Sequence, residues 1–512
     1  MFDVLVVGGG INGAGIARDA AGRGLRVLLV EQDGLARHTS SASTKLIHGG
    51  LRYLEYFQFR LVREALRERG RLLAIAPHLV RSARFVLPHV RAVRPAWLVR
   101  AGLLLYDVLA GRQGLERSGQ IKLQTSPLGL PLRPQLTRGF IYSDCIVDDS
   151  RLTILNARDA AERGADIRIG HRFLGAQREQ SLWRAQITHM ADRQPYCVSA
   201  RALVNATGPW VADALWSRVG SADRTTTQLV KGSHIVVPRL YEGAQCYVLQ
   251  NADRRIVFVI PYQDDFTLIG TTDVAWSGPP GPVEASPEEI EYLCATVNDY
   301  FQRPVSAAHV QWTYSGLRPL YDNDAADAAA LSRDYVLHLD ASNEAMPLLT
   351  VLGGKITTYR RLAEHALMKL QPWFPGLRAP WTASRALPGG DLPGGFASFL
   401  ADVQRRWPFL GPERALRMVR AYGTRIEAVI GEAHCPSDLG EEFGAGLTRS
   451  EVDYLVREEW ARTADDVLWR YSKLGLRISC AAAARLETYL RESAVQERDA
   501  SQPNARRGPR HE

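Results

Sequence analysis

The sequence has little cysteine and no long apolar run. Its 512 residues include six cysteines, which lie far apart and never form a C-x-x-C pair. This spacing argues against a disulfide framework and predicts free thiols in a reducing compartment. No stretch of about 18 apolar residues occurs, so we expect no transmembrane helix, although a helix lying on a membrane surface is compatible with the sequence. The first apolar segment begins at residue 2 or 3 without a basic leader, so no export signal is expected.

Nucleic-acid-binding signatures are also missing, although the chain is basic. The formal net charge is +8, with arginines scattered along the chain. Such an excess suits an anionic substrate, an anionic lipid surface or a nucleic acid. Because the sequence has neither zinc-binding spacing nor an RNA-recognition signature, we rank nucleic acid lowest and expect no nucleic-acid partner and no metal site.

The most informative stretch is glycine-rich and lies at residues 2–31, which read FDVLVVGGGINGAGIARDAAGRGLRVLLVE. Its first apolar residues predict a strand that is buried on both faces. The motif G-x-G-x-x-G follows at 8–13, then an Ala-rich helical pattern and a second apolar strand that ends at Glu31. The strand, the helix and the terminal acid supply the context that a lone glycine motif lacks, so the stretch predicts a dinucleotide site.

Each part of this motif has a separate task. Gly8 permits the tight turn, Gly10 allows the backbone to approach a pyrophosphate, and Gly13 allows the helix to pack against the strand. The helix N-terminus offers free N–H groups and the positive end of its dipole to the phosphates. Glu31, which lies 18 residues after Gly13, is suited to accept hydrogen bonds from both hydroxyls of an adenosine ribose.

Two later segments have a similar composition, and a linker divides the chain. The segments at 202–210 and 348–359 each pair a strand with glycine or small residues and a helix, which brings backbone close to a flat or anionic ligand. Between them, β-branched segments within 230–270 predict a separate sheet. The Pro- and Gly-rich stretch at 387–395 marks a boundary, and helical periodicity beyond it predicts an all-α domain.

An amphipathic segment at 94–112 reads RPAWLVRAGLLLYDVLAGR. It combines Trp97 and Tyr106 with three consecutive leucines, and arginines flank it. That composition is typical of a helix lying in a membrane interface. A helix packed between domains would show the same pattern, so the sequence leaves both interpretations open.

Long motifs extend along the chain from residue 2 to 490. They are VVGGGINGAGIARDAAGRG at 6–24, TSSASTKLIHGGLRYL at 39–54, FRLVREAL at 59–66, YSDCIVDDSRL at 142–152, VNATGPWV at 204–211, KGSHIVVPR at 231–239, IVFVIPY at 256–262, IGTTD at 269–273, WTYSGLRPL at 312–320, RDY at 333–335, GGKITTYRRLAEHAL at 353–367, DLGEEFG at 438–444 and ARTADDVLWRYSKLGL at 461–476. In these motifs the chain resembles the FAD-dependent (aerobic, respiratory) glycerol-3-phosphate dehydrogenases of bacterial type.

The resemblance implies a fold of the α/β (α+β) class. A split Rossmann-like FAD-binding domain of the glucose-inhibited/D-amino-acid-oxidase type would carry an inserted antiparallel β-sheet domain for the substrate, followed by a C-terminal all-α domain. The expected boundaries are 1–75, 146–220 and 331–386 for the FAD-binding domain, 76–145 and 221–330 for the substrate-binding domain, 387–395 for the linker, 396–496 for the helical domain and 497–512 for a disordered tail.

The resemblance also implies which residues hold FAD. They are Gly8, Gly9, Gly10, Asn12, Gly13 and Glu31 at the ADP end; Ser40, Ser41, Lys45, Leu46 and His48 along the second phosphate, ribityl chain and ring; Thr207 and Gly208 on the adenosine side; and Gly354, Lys355 and Thr357 at the pyrimidine edge of the ring.

The implied substrate, sn-glycerol 3-phosphate, carries a phosphate dianion. Its binding requires several cations, ideally arginines that bind in a bidentate manner. By resemblance, Arg318 and Arg333 are expected to bind the phosphate, and Arg52, Lys355 and Tyr53 to line the same pocket.

The implied reaction oxidises the secondary alcohol to dihydroxyacetone phosphate, with hydride transfer from C2 to flavin N5 and loss of the hydroxyl proton to a base. His48 and His234 are the candidate bases, because an unperturbed imidazole titrates near neutral pH. Lys355, or an arginine such as Arg318 stabilising the alkoxide, is the alternative.

The resemblance further implies ubiquinone or another membrane quinone as the electron acceptor, in glycerol catabolism and respiration. The protein would then be cytoplasmic and peripheral on the inner face of the cell membrane, as a homodimer if two chains associate. Three alternatives stay open: a glycerol-3-phosphate oxidase that uses O₂, a flavin amine or amino-acid oxidase on the same fold, and a non-catalytic FAD-bound membrane scaffold.

Overall fold

The chain forms two compact units, Met1–Leu392 and Pro393–Glu512. The structure is a computed structural model, and it describes the chain except for residues 91–93, 112, 220–226, 252, 254, 322–333, 342–345 and 502–512. The strands are β1 (Phe2–Val7), β2 (Val27–Glu31), β3 (Leu46–Ile47), β4 (Val80–Pro88), β5 (Gly119–Lys122), β6 (Arg138–Val147), β7 (Asp166–Ile169), β8 (His171–Glu179), β9 (Leu182–His189), β10 (Pro195–Asn205), β11 (Thr227–Pro238), β12 (Cys246–Gln250), β13 (Ile256–Tyr262), β14 (Phe266–Gly270), β15 (Val274–Trp276), β16 (Trp312–Tyr321), β17 (Val336–Asp340), β18 (Leu348–Leu352), β19 (Glu442–Gly444) and β20 (Leu447–Thr448). The helices are α1 (Ile11–Gly22), α2 (Phe59–Ile75), α3 (Ala96–Ala110), α4 (Asp149–Glu162), α5 (Val211–Asp213), α6 (Pro287–Tyr300), α7 (Tyr359–Leu370), α8 (Gly395–Arg406), α9 (Gly411–Tyr422), α10 (Ile426–Ile430), α11 (Arg449–Glu459) and α12 (Cys480–Ser501).

The first sheet of the larger unit brings the glycine-rich turns together. Its order is β17-β18-β10-β1-β2-β7, and β18, β10, β1, β2 and β7 are parallel where they pair. Val7 at the end of β1 pairs with Asn205 of β10 and with Val30 of β2. Because parallel strands end at the same edge of a sheet, the segments after β1, β2, β10 and β18 converge there.

Apolar strands and helices form the core on this sheet. Val4, Val6 and Leu29 on the sheet pack with Ala17 of α1 and Leu362 of α7, and all five side chains are buried. The small residues of α1 allow close packing against β1, so the start of α1 is fixed relative to the strand that precedes it. The sheet therefore sets where the glycine motif points.

The second sheet is separate and mainly antiparallel, as the sequence predicted. Its order is β15-β11-β14-β13-β12-β4-β6-β3, with β16 paired to β11 and β5 to β6. One pair, β4 with β12, is parallel. The short strand β3, which belongs to the loop predicted to contact the cofactor, joins this second sheet through β6. That pairing places the loop at 39–54 between the two sheets, while the domain boundaries stay predictions.

Helix α3 has two different faces. Val99, Leu103 and Tyr106 are buried, whereas Trp97 and Val108 expose 72% and 77% of their surface. The inner face of the helix is therefore packed against the protein, whereas its outer face exposes apolar side chains. The inner face fits a packed helix, and the outer face fits a helix in a membrane interface. No helix among the described residues is long and apolar enough to cross a membrane.

The smaller unit is helical, with one short hairpin. Helices α8 to α12 make up most of it, and β19 pairs with β20. The last helix continues to Ser501, past residue 497 where a disordered tail was expected to begin. Its end is rich in Ala, Gln, Glu and Arg, which favour helix more than the polarity of the segment suggests.

Candidate active site

A cavity of about 350 Å³ lies at the carboxyl edge of the first sheet. Its wall includes Glu31 at the end of β2, Gly10 and Asn12 at the start of α1, and the turn at 353–357 after β18. It is lined on its other sides by the loop at 36–48 and by Ala206 to Trp210. The cavity thus lies where the strand ends converge, and segments that are distant in sequence line it.

The glycine motif is shaped by close backbone contacts. Gly8 has φ +110°, and a Cβ on it would lie 2.5 Å from the carbonyl oxygen of Ala206. A Cβ on Gly13 would lie 1.9 Å from the carbonyl oxygen of Gly8. The Ile11 N–H donates to Ser40 Oγ at 2.9 Å, which holds the following loop against the start of α1. Side chains are excluded here, so the backbone can lie close to an anionic ligand.

Glu31 supports the motif as well as facing the cavity. Its two carboxylate oxygens accept the N–H of Gly9 at 2.7 Å and of Asp33 at 2.8 Å. Burial raises its pKa, and these two hydrogen bonds oppose the rise. Each carboxylate oxygen has a further lone pair, so Glu31 can still accept from ribose hydroxyls.

Asn12 connects the glycine motif to the turn after β18. Its Nδ2 donates to the carbonyl oxygen of Gly353 at 3.2 Å. Its Oδ1 is buried at the cavity wall and has no hydrogen-bond partner among the described residues. A buried acceptor costs free energy unless something donates to it, so a ligand with hydroxyl or N–H groups fits this position.

The structure brings most of the predicted cofactor residues to this cavity. Those on its wall are Gly8, Gly10, Asn12, Glu31, Ser40, Leu46, His48, Thr207, Gly208, Gly354, Lys355 and Thr357. Gly9, Gly13 and Ser41 support the wall from behind, and the Ser41 hydroxyl donates to the carbonyl oxygen of His38. The tight glycine turn, the terminal acid and the unsatisfied Asn12 oxygen together fit a dinucleotide cofactor.

Lys45 is the predicted cofactor residue that the structure places away from the cavity. Its Nζ is buried and lies 2.8 Å and 3.0 Å from the two carboxylate oxygens of Asp149, and it also donates to the Ser41 carbonyl oxygen. Asp149 accepts from the Ser43 hydroxyl as well. The ammonium therefore fixes the fold of the serine-rich loop rather than facing a phosphate.

Arg318 lies on the cavity wall and is held by two acceptors. One guanidinium nitrogen forms an ion pair with Asp273, and Nη2 donates to Thr271 Oγ1 at 2.7 Å. A Cβ on Gly232 would lie 2.1 Å from Nη2, so the glycine makes room for the guanidinium. With five N–H donors in all, Arg318 retains donors for an anion.

Lys355 and Tyr53 lie together on the cavity wall. The Lys355 Nζ is 3.7 Å from the centre of the Tyr53 ring, the geometry of a cation–π contact. Arg52 lines a second cavity next to the first, and its Nη2 donates to the Tyr56 hydroxyl at 3.4 Å. Arg333 lies outside the described residues.

The two candidate histidines differ in their surroundings. His48 lies on the cavity wall, and its backbone N–H donates to Thr357 Oγ1 at 3.3 Å. His234 is fully buried behind Thr44, with its Nε2 3.0 Å from Thr44 Oγ1. Burial, together with the charges of Arg318 and Lys45, holds the pKa of His234 well below its usual value. His48 therefore faces the cavity directly, whereas His234 reaches it only through a hydroxyl.

Sequence reasoning gave no role to the residues around Arg318. Thr271 and Asp273 belong to the motif IGTTD, and Gly232 to KGSHIVVPR, both of which were recognised as motifs. The signal that could have identified them is the register: Arg318 of β16 pairs with Val230 of β11, next to Lys231 and Gly232. Such cross-strand neighbours follow only once the strand pairing is known.

Comparisons with known proteins identify the family. The family model described as FAD dependent oxidoreductase matches residues 3–360, and the one described as C-terminal domain of alpha-glycerophosphate oxidase matches residues 381–492. Glycerol-3-phosphate dehydrogenase of Pseudomonas aeruginosa is 51% identical over 490 residues, covering 96% of this chain and 95% of the relative. The chain belongs to the FAD-dependent glycerol-3-phosphate dehydrogenases.

Other members of this family of glycerol-3-phosphate dehydrogenases agree with the assignment. The aerobic glycerol-3-phosphate dehydrogenase of Escherichia coli is 47% identical, covering 96% of this chain and 98% of the relative. The crystal structure of glycerol-3-phosphate dehydrogenase from Bacillus halodurans, complexed with FAD, superposes with a TM-score of 0.75 at 26% identity, covering 97% of this chain and 90% of that one. The predicted family, the fold class and FAD as cofactor are confirmed, and an amine or amino-acid oxidase is set aside.

Proposed function

We propose that this chain oxidises sn-glycerol 3-phosphate to dihydroxyacetone phosphate and passes the electrons to a membrane quinone. Bound FAD supplies a two-electron acceptor for the alcohol oxidation. The observation that carries the proposal is a common wall: His48, Tyr53, Phe258 and Thr271 border both the cofactor cavity and a second cavity of about 390 Å³. The cofactor cavity suits the anionic substrate, and the second cavity suits an apolar acceptor.

The chain's own residues supply phosphate binding and proton removal. Arg318 and Lys355 both line the cofactor cavity, where Arg318 contacts Thr271 and Lys355 contacts Tyr53, two of the residues that line both cavities. A phosphate dianion bound there would gain charge-assisted hydrogen bonds. His48 lies on the same wall and can accept the hydroxyl proton, with Tyr53 positioned to hydrogen-bond the substrate.

Arg318→Ala is expected to raise the KM for glycerol 3-phosphate on the order of 100-fold, with FAD still bound. The variant loses charge-assisted hydrogen bonds to the phosphate and leaves the Asp273 carboxylate facing the anion, which repels it. Steady-state kinetics and the flavin absorbance of the purified protein measure both quantities. Arg405→Ala, at an exposed arginine of the smaller unit, is the matched control. Loss of flavin without a change in KM would contradict the phosphate assignment.

The acceptor proposal rests on an apolar surface beside the second cavity. Eight large apolar side chains are exposed on α3 and on the segment that leads into α2; they are Tyr56, Phe57, Phe59, Trp97, Leu98, Leu104, Leu105 and Val108. We call them the apolar patch. Leu98, Leu105, Phe57 and Phe59 also line the second cavity. A cavity with apolar and charged lining residues that lies beside an apolar patch suits a lipid-soluble acceptor with a polar head that arrives from a membrane.

The apolar patch is expected to bind vesicles. Arg60 lies next to Phe59 with its side chain 91% exposed, so anionic lipids would strengthen the binding at low salt. Changing both Trp97 and Val108 to Asp should weaken co-sedimentation with phosphatidylglycerol-containing vesicles by about tenfold or more, because two large apolar contacts are lost. Leu174→Asp, at an exposed leucine of β8, is the control. Equal binding of the double variant would remove the patch from the proposal.

An anaerobic titration tests the function as a whole. Glycerol 3-phosphate should bleach the flavin band, whereas glycerol, which lacks the phosphate, should not. Addition of a ubiquinone analogue should then restore the oxidised spectrum. Stoichiometric hydrogen peroxide in air, with no response to quinone, would establish the oxidase alternative. Rapid bleaching would exclude the non-catalytic scaffold, and absence of bleaching would contradict the proposed function. The inner-face location and the homodimer stay predictions, to be tested by cell fractionation and analytical ultracentrifugation.

A further inference from the structure

A buried tyrosine of helix α3 contacts the backbone next to His48. Tyr106 exposes 1% of its surface. Its hydroxyl accepts the Gly49 N–H at 2.8 Å and donates to the Asp144 carboxylate, whose oxygens lie 2.9 Å and 2.7 Å away. The Asp144 carboxylate thus orients the Tyr106 hydroxyl, and the hydroxyl oxygen accepts the Gly49 N–H. Tyr106, Gly49 and Asp144 were not among the residues expected in the site.

The carboxylate behind Tyr106 is itself held. Arg69 of α2 donates through Nη1 to Asp144 at 2.6 Å and to the carbonyl oxygen of Ser143 at 2.8 Å. The side chain of Gln113 accepts from Arg69 and donates to the carbonyl oxygens of Leu66 and Ala110, so it joins α2 to α3. The whole cluster is therefore rigid, because each polar group has partners on separate elements.

Gly49 connects this cluster to His48 on the cavity wall. A Cβ on Gly49 would lie 2.7 Å from Leu66 and 2.8 Å from the Tyr106 hydroxyl oxygen, so the backbone is pressed against the tyrosine. On its other side, the adjacent His48 N–H donates to Thr357. Gly50, with φ +76°, then begins the 3₁₀ helix Leu51–Tyr56 that carries Tyr53. The segment that carries His48 and Tyr53 is thus fixed between the turn after β18 and Tyr106.

We propose that Tyr106, oriented by Asp144 and Arg69, is a positioning residue that sets the placement of His48 and Tyr53 for alcohol oxidation. The inference rests on the proposed function and deepens it. Tyr106 lines neither cavity, so it acts on the reacting groups through its neighbours, above all through the Gly49 amide. A displacement of about 1 Å at reacting groups can lower a rate on the order of 100-fold, so one hydrogen bond at this position has a large effect.

The cluster also predicts a pH dependence. Burial raises the pKa of Asp144 to about 6, while Arg69, the Tyr106 hydroxyl and the Gly49 amide oppose the rise. The titratable and charged groups that face this carboxylate are Arg69 from α2, Tyr106 from α3, and Tyr142 and Cys145 from β6. Protonation of Asp144 below about pH 6 removes its charge and weakens the hydrogen bond that orients Tyr106, so the rate should fall as pH falls through this value. In Tyr106→Phe the hydroxyl that carries this effect is missing, so protonation of Asp144 should change the rate less than it does in the wild type.

Tyr106→Phe in the holoenzyme tests the proposal by anaerobic stopped-flow reduction with glycerol 3-phosphate across pH 5.5 to 8.5, a range of about one and a half pH units either side of neutrality. We expect full FAD content, a limiting rate of flavin reduction lowered on the order of 10- to 100-fold above about pH 6, and a smaller difference from the wild type along the acidic limb. Tyr247→Phe, at a buried tyrosine whose hydroxyl donates to the Leu128 carbonyl oxygen, should leave rate and limb unchanged.

Each other result has a defined meaning. An unchanged rate in Tyr106→Phe overturns the proposal, and so does a rate lowered by the same factor at every pH, which would indicate a merely structural role. If Tyr106→Phe gives no soluble flavoprotein, Asp144→Asn is measured instead, and its difference from the wild type should also shrink along the acidic limb; a difference that is constant with pH overturns the proposal. Wild-type flavin that glycerol 3-phosphate fails to reduce contradicts the proposed function itself, which keeps the two failures distinct.

Discussion

Gly10→Val is expected to yield a folded but colourless protein without dehydrogenase activity. Gly10 precedes α1, where the Ile11 N–H is held by Ser40 Oγ. A Cβ on Gly10 would already lie 3.1 Å from Ser40 Oγ, and two further methyl groups would occupy the space in front of the helix N-terminus, where we expect the pyrophosphate to bind. Overpacking of this kind costs about 3 kcal/mol, which weakens binding on the order of 100-fold.

Flavin absorbance after purification and reconstitution with FAD measures this loss, and circular dichroism confirms that the variant folds. Gly376→Val is the matched control, because Gly376 is exposed and a Cβ on it would meet nothing within 4 Å. A yellow Gly10→Val protein would falsify the assignment of this turn to the pyrophosphate.

His48→Gln should lower the rate of flavin reduction on the order of 100- to 10,000-fold and change the KM for glycerol 3-phosphate much less. A general base contributes a factor of this size when it lies within hydrogen-bonding reach of the proton that it removes. His48 is on the wall that the two cavities share, whereas His234 is buried behind Thr44. Glutamine retains hydrogen-bonding groups but cannot accept a proton near neutral pH.

Two further variants decide between the histidines. If the proton travels through Thr44 to His234, then His234→Gln and Thr44→Val should each lower the rate as strongly as His48→Gln. If His48 accepts the proton directly, Thr44→Val should have a small effect. Rapid-mixing measurements on FAD-loaded protein compare all three, and an undiminished rate in His48→Gln would exclude it as the base.

The dinucleotide turn could be predicted from sequence because its residues are close together. Gly8, Gly13 and Glu31 lie within one strand–helix–strand unit, and the geometry of such a unit is determined by short-range sterics. The wider fold and the family followed from long motifs rather than from periodicity. Composition alone would not have separated Arg318 from the many other arginines of the chain.

Long-range pairing explains what the sequence did not reveal. Lys45 lies in a loop typical of anion binding, yet Asp149, 104 residues later, accepts its hydrogen bonds and turns it away from the cavity. Asp273 and Thr271 reach Arg318 across strands. Likewise, the buried and exposed faces of α3 can be told apart only once the residues packed against the helix are known. Each of these contacts depends on which strands and helices lie side by side. The local sequence pattern does not determine this.

The wall between the two cavities has a consequence for steady-state kinetics. His48, Tyr53, Phe258 and Thr271 line both cavities, and the other lining residues differ. Under the proposed function the alcohol binds in one cavity and the oxidant in the other, so both can be bound at once. A ternary complex is sterically allowed, and ketone release need not precede arrival of the oxidant. Double-reciprocal plots recorded at several oxidant concentrations should therefore intersect, in contrast to the parallel lines of a ping-pong order.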